Sequence, residues 1–457
     1  MSEESYDLVV LGGGSGGYAA ALRATQLGMN VALVERDKLG GTCLHRGCVP
    51  TKALLHAAEL ADGAKDAQKY GVRASFDGID VERVTEYRRG VVAGKYKGLQ
   101  SLVSSRGITV VEGDGRLTGP STVTVGEHVL HGASIVVATG SASRTLPGIT
   151  IGGRILTSDE ALELDHVPAR VVVLGGGVIG VEFASVWRSF GAEVTIVEAL
   201  PHLVPNEDES ASRLLERAFR KRGIAFQLGS RVSSVSQSGT GVSVALENGT
   251  VVEGELLLVA VGRGPVTAGI GLEEAGVALD RGFVVTDERL RTSVPGVYAV
   301  GDIVPGLQLA HRSFQQGIFV AEEIAGLAPQ VVSDLNVPKV TYSDPEVASI
   351  GLTEAGAVAE YGAERVAAYD YGLGGNARST ILGTSGSVKV VRVVDGPVVG
   401  VHMVGARVGE LIGEAQLIVN WEAHPEDVAP FVHAHPTQNE ALGEAHLALA
   451  GKPLHAP

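Results

Sequence analysis

Cysteine occurs at only two of 457 positions, Cys43 and Cys48. Two thiols cannot form the disulfide framework of a secreted domain in a chain this long, and no third cysteine exists to complete a zinc site around them. Aromatic residues are scarce at 5%, which disfavours aromatic ligand platforms. Positive charge is short too: 37 Lys and Arg face 52 Asp and Glu, a net charge of −15. A general nucleic-acid binder needs a basic surface, so that class is excluded. The acidic excess reads as solubility through self-repulsion. No apolar run approaches the ~18 residues that span a bilayer, so no membrane association is expected. The opening MSEESYDLVVLGGG has neither a basic n-region nor an Arg-rich amphipathic stretch, which makes the cytoplasm the expected compartment.

Glycine, by contrast, is abundant at 62 residues, and 45% of the chain is apolar against 19% charged. That composition suits tight turns and close backbone approach to ligands, in a chain long enough for about three domains. An internal repeat organises it. Residues 6–36, YDLVVLGGGSGGYAAALRATQLGMNVALVER, match residues 169–199, ARVVVLGGGVIGVEFASVWRSFGAEVTIVEA, at a constant offset of 163. The offset aligns Gly12 with Gly175, Gly14 with Gly177, Gly17 with Gly180, and Glu35 with Glu198.

Each copy is an apolar strand, a glycine turn, a helical pattern and a second strand closing on an acid. A lone GxGxxG is weak, but here its full context is present twice. The first glycine permits the strand-to-helix turn, the second lets backbone reach a pyrophosphate, and the third lets helix and strand pack closely. The phosphates then lie at a helix N-terminus, where free N–H groups favour an anion. Glu35 and Glu198 can each accept from a ribose hydroxyl. No arginine follows Glu198 to meet a 2′-phosphate, so the second site reads as NAD rather than NADP.

Two further strand ends carry candidate cofactor contacts. HGASIVVATGS closes on Thr139 and Gly140, and TSVPGVYAVGDIV runs into Gly301 and Asp302, whose carboxylate could bind a cofactor or cap the next helix. Helical periodicity covers 53–70 directly after the cysteines. Beyond about residue 335 the glycine turns stop, and the alternating SVKVVRVV and helical GELIGEAQLIVNWEA suggest a separate α+β domain.

In GGTCLHRGCVPTKAL a structural disulfide would close a very short loop and stabilise little, whereas packing remains open for either cysteine alone. A redox pair is the favoured reading. Pro50 suits a first helical turn, which puts Cys48 at a helix N-terminus, where the dipole favours a thiolate. One dinucleotide site must then hold an electron carrier between nicotinamide and disulfide, which points to a flavin.

These residues resemble the redox motif of the flavoprotein pyridine nucleotide-disulfide oxidoreductases. The resemblance extends over essentially the whole chain, through ATGS, AVGRGP, YAVGD, LAHRSFQQG, VTYSDPEVASIGLTE and HAHPTQNE. It implies an α/β fold with two Rossmann-like dinucleotide domains and a C-terminal α+β dimerisation domain. The expected bounds are 1–147 with 264–334 for FAD, 148–263 for NAD, and 335–457 for the interface. It implies non-covalent FAD, one per subunit, held by Gly12, Gly14, Gly17, Glu35, Gly140, Gly262 and Asp302. NAD would be held by Gly175, Gly177, Gly180 and Glu198.

In the same way Cys43 would be the exposed thiol exchanging with substrate, and Cys48 the flavin-side thiol. Lys52 and Glu182 would pair near the flavin; the first copy of the repeat has Ala19 where the second has Glu182, so this acid is not part of the generic fold. His435 would be the acid/base group, oriented by Glu440 and reaching across a homodimer interface. The implied reaction oxidises protein-bound dihydrolipoamide with reduction of NAD. The partner would be a lipoyl domain of a 2-oxoacid dehydrogenase acyltransferase or the glycine-cleavage H protein. Another NAD(P)H-dependent disulfide reductase of the family, or an NADH diaphorase, is the alternative. Three positions depart from the pattern: His45 and Arg46 replace a frequent asparagine and valine, and Val266 a frequent asparagine. The charge of His45-Arg46 could tune the thiolates or simply face solvent.

Overall fold

The computed structural model describes residues 2–455. The chain divides into two compact units: residues 1–53, 82–144 and 262–334 form the first, and 54–81, 145–261 and 335–457 the second.

The first unit is built on a seven-stranded sheet. Its centre is strand Ser2–Leu11, parallel to Val31–Glu35 on one side and His128–Val137 on the other. Leu8 to Leu11 and Val31 to Val34 are all buried, as unbroken apolar runs are when helices cover both faces of a parallel sheet. Strand His128–Val137 pairs along its second edge with two partners in turn. Thr122–Val125 takes its beginning and Val297–Ala299 its end, so a late segment of the chain completes the sheet. Helix Ser15–Gln26 lies against helix Ala310–Ile324 so closely that a Cβ on Gly317 would sit 2.2 Å from the Gly16 carbonyl.

The second unit holds two larger sheets among its described residues. One is five-stranded and parallel around Arg170–Leu174, flanked by Glu193–Val197 and Leu256–Val259. It repeats the strand–turn–helix start of the first unit, with helix Val178–Phe190 following the glycine turn. The other is five-stranded and antiparallel, in the order Lys339–Thr341, Glu346–Gly351, Val398–Gly405, Ser387–Val393, Val366–Gly372. The helix expected in GELIGEAQLIVNWEA is Val408–Asn420, packed on this sheet's core.

Strand Ser387–Val393, within the alternating SVKVVRVV, is buried at all seven residues. The charged positions tolerate this because acids meet them. Lys389 Nζ lies 2.9 Å from Asp208 and 2.6 Å from Glu354, and Arg392 donates to Glu426 at 2.7 Å. A buried cation stays charged only with such partners.

Candidate active site

The two glycine turns fold alike because each glycine meets a different steric demand. Gly12 and Gly175 adopt φ of +107° and +111°, and a Cβ there would lie 2.4 Å and 2.3 Å from the Ala138 and Ala260 carbonyl oxygens. Gly17 and Gly180 are tighter, with an added Cβ 1.8 Å and 1.9 Å from the carbonyl oxygens of Gly12 and Gly175. The middle glycines differ: Gly14 and Gly177 are the helix N-caps, and a Cβ on either meets nothing within 4 Å. Open space at a helix N-terminus, walled by backbone N–H groups, is a cradle for a phosphate.

The paired acids secure these turns. Glu35 accepts from the Gly13 N–H at 2.7 Å and the Asp37 N–H at 2.8 Å. Glu198 accepts from Gly176 and Leu200, both at 2.7 Å. Burial pushes the Glu35 carboxyl up, and the Gly13 and Arg36 N–H groups oppose it. The likeness runs on past the acids. Gly40 donates to Gly13 O and Val204 to Gly176 O, each at 2.8 Å, while Leu39 and Leu203 both stand over the turn. This extension carries a one-residue shift, which is why a fixed-offset comparison of the sequence stops before it.

From the first of these loops the chain enters a short helix, Gly41–His45, and then the helix Cys48–Asp66. Cys48 is thus the first residue of its helix, as expected from Pro50. Cys48 is exposed and Cys43 half-buried. The hydrogen bond that Cys43 gives to Cys48 and then burial push the Cys43 thiol up, while the Lys52 ammonium pulls it down. Tyr18 lies near enough for burial, with Cys43, to hold its phenol up at about 12.

Asp302 does not cap a helix. It sits in the turn Gly301–Ile303, and its carboxylate accepts from Ser141 Oγ at 2.5 Å. Arg263 donates to the same Ser141 Oγ at 2.8 Å and to the Ser141 carbonyl at 2.7 Å, and reaches Thr42 Oγ1 at 3.5 Å. The sequence reading took Gly262 but missed Arg263 and Ser141; the signal available was a lone arginine inside AVGRGP. Gly140 and Gly262 both have positive φ and open space at the Cβ position.

In the second unit, Glu182 is 3% exposed on helix Val178–Phe190 and accepts from the Tyr342 N–H at 2.9 Å. It is therefore not a solvated helix residue. Val178, at the turn, is exposed. His435 Nδ1 lies 2.8 Å from Glu440 Oε1, and Glu440 Oε2 accepts from the Thr437 N–H at 2.8 Å. Burial would raise the Glu440 carboxyl, but Thr437 and His435 outweigh it and hold it below the usual range. A second pair, missed in the sequence, stands beside it: His433 Nε2 and Glu414 at 2.8 Å. His433, Glu414 and Thr437 line a groove of about 830 Å³ that carries the exposed Phe431 and Val432. Among the described residues no cluster of His, Cys, Asp and Glu could hold a metal, and no helix is long and apolar enough to cross a membrane.

Two nucleotide cradles, a dithiol at a helix start and a histidine–carboxylate pair define a flavin-type disulfide oxidoreductase. The chain belongs to the pyridine nucleotide-disulphide oxidoreductases: that family matches residues 6–317, and its dimerisation domain matches residues 337–446. FAD-binding and dimerisation domains are both present, and the family uses FAD and NAD.

Within the family the chain is 40% identical over 471 residues to the dihydrolipoyl dehydrogenase of Bacillus subtilis, covering 98% of this chain and 99% of that one. It is 39% identical over 465 residues to the mitochondrial dihydrolipoyl dehydrogenase of Pisum sativum, covering 98% and 92%. The fold matches LpdA from Mycobacterium tuberculosis with a TM-score of 0.89 and 28% identity, over 98% of this chain and 99% of that one.

Proposed function

We propose that the chain is a dihydrolipoyl dehydrogenase, oxidising protein-bound dihydrolipoamide and reducing NAD. The observation that carries this is the Cys43–Cys48 pair at a helix start, in the same unit as a glycine turn whose Gly14 leaves a phosphate-sized opening. The open cradle, the Glu35 clamp and the Asp302–Ser141–Arg263 relay fit FAD; the Gly177 cradle and Glu198 fit NAD. When bound, FAD supplies the two-electron step between dithiol and NAD.

The chain's own residues handle the thiol chemistry. His435 removes a proton from one thiol of dihydrolipoamide. The thiolate attacks Cys43 Sγ in the oxidised enzyme, the Cys43–Cys48 bond breaks, and Cys48 leaves as a thiolate. The second substrate thiol then attacks the mixed disulfide. Cyclic lipoamide leaves with Cys43 reduced, so two electrons have passed to the cysteines. The ordering of roles rests on the helix start, which stabilises a Cys48 thiolate, and on the hydrogen bond to Cys48 and burial, which push the Cys43 thiol up. Lys52 and Glu182 are proposed as the pair near the flavin.

The dimerisation domain supports a homodimer, in which His435 would be given to the partner's dithiol. The exposed Phe431 and Val432 beside His433 support burial of that face. The domain bounds given from the sequence, a lipoyl domain as macromolecular substrate, and a cytoplasmic setting complete the reading. Anaerobic titration with dihydrolipoamide tests it. A long-wavelength thiolate–flavin band and NADH formation are expected, and absence of both overturns the proposal.

A further inference from the structure

The two residues between the thiols turn back onto the loop that follows the acid clamp. His45 Nε2 lies 2.9 Å from the Leu39 carbonyl, which can only accept, so the ring carries its proton there. The same ring stands edge-on to Tyr96, with centroids 5.0 Å apart and planes at 79°. Arg46 forms an ion pair with Asp37. Asp37 in turn donates its N–H to Glu35, whose other oxygen holds Gly13. The backbone closes the figure: Gly40 donates to Gly13 O at 2.8 Å, and a Cβ on Gly41 would lie 2.9 Å from Gly14 Cα. The segment bearing the thiols is therefore laid directly on the phosphate turn and fastened at its far end by two side chains.

We propose that His45 and Arg46 are positioning residues that latch the dithiol segment to the nucleotide-binding loop Glu35–Gly40, so that grip on FAD and placement of the thiols are set by one bonded unit. The inference deepens the proposed function and rests on it. Asp37 and Arg46 are 44% and 53% exposed, so their pair is worth at most about five-fold in affinity. His45 combines a hydrogen bond with ring packing and is half-buried, so its loss is worth about three- to ten-fold.

The test measures FAD affinity of the apoprotein and the intensity of the thiolate–flavin band in the two-electron-reduced holoenzyme. Arg46→Val and Asp37→Asn should each weaken FAD binding by about two- to five-fold, and the double variant by no more than either. The charge swap Asp37→Arg with Arg46→Asp should restore affinity. His45→Leu should weaken binding and dim the band, whereas His45→Gln, which keeps a donor of similar reach, should recover most of both. Apoprotein melting temperature should fall by no more than about 2–4 °C in any single variant. If Arg46→Val and His45→Leu bind FAD as tightly as wild type, or if neither the swap nor the glutamine restores what is lost, the latch is overturned alone. Wild type that takes up no FAD overturns the functional reading and the latch together.

Discussion

Glu440 Oε1 lies 2.8 Å from His435 Nδ1, and its partner oxygen is held by the Thr437 N–H. A carboxylate fixed in this way keeps the histidine proton on Nδ1 and leaves Nε2 as the base. His435→Ala should lower kcat for dihydrolipoamide by about 10²- to 10⁴-fold, the usual worth of general acid–base catalysis. Glu440→Gln should cost less, about ten-fold, because an amide oxygen can still orient the ring. Reduction of a quinone by NADH bypasses the thiols and should survive both changes. Steady-state assays with the two acceptors separate these outcomes; equal loss in both would refute the role of His435.

The glycines of each turn have separable duties. Gly14→Ala adds a methyl group into open space and should leave the apoprotein's stability unchanged while weakening FAD binding. Gly17→Ala places a Cβ 1.8 Å from the Gly12 carbonyl and should destabilise the fold by about 3 kcal/mol or more. Denaturant unfolding and flavin titration of the same two variants check the contrast.

Glu198 uses both oxygens on backbone N–H groups, so the second cradle depends on it for shape as well as for the proposed ribose contact. Glu198→Gln turns one acceptor into a donor facing an N–H. KM for NAD should rise by about ten-fold with kcat little changed, the signature of lost uniform binding. A wild-type NADPH preference near or above unity would contradict this assignment.

Glu323 supplies a pH prediction away from the site. The Arg289 guanidinium, against the opposing effect of burial, and then Arg291 hold its carboxyl down to about 2 from the ordinary 4.5. A depressed folded value stabilises the protein above the unfolded value and loses that contribution as pH falls through the folded one. Glu323→Gln should therefore be less stable than wild type near neutrality. The gap should close between pH 4.5 and about 2, as read by melting temperature against pH.

The fold was legible wherever a local rule had one solution. Strand, turn, helix and acid at a fixed spacing admit one βαβ geometry, and a helix start at Cys48 follows from Pro50 and the apolar period behind it. What stayed hidden depends on partners remote in sequence. Ser387–Val393 alternates as an edge-like strand does, and only Asp208, Glu354 and Glu426 explain how its Lys and Arg are buried. Ser141 joins Asp302 from 161 positions away and Arg263 joins Ser141 from 122, separations no motif spells out.

The clamps on Glu35 and Glu198 match to within 0.1 Å and use the same pattern of backbone donors, yet the residue donating to the second oxygen is Asp37 in one and the exposed Leu200 in the other. One cradle can be fastened by a neighbouring cation, whereas leucine offers nothing to fasten. A prosthetic group must outlast many turnovers, and a coenzyme must depart after each. On the proposed assignment the duplicated architecture diverges beyond the acid, where one cradle carries an extra fastening that would lengthen its occupant's stay by the few-fold an exposed ion pair supplies.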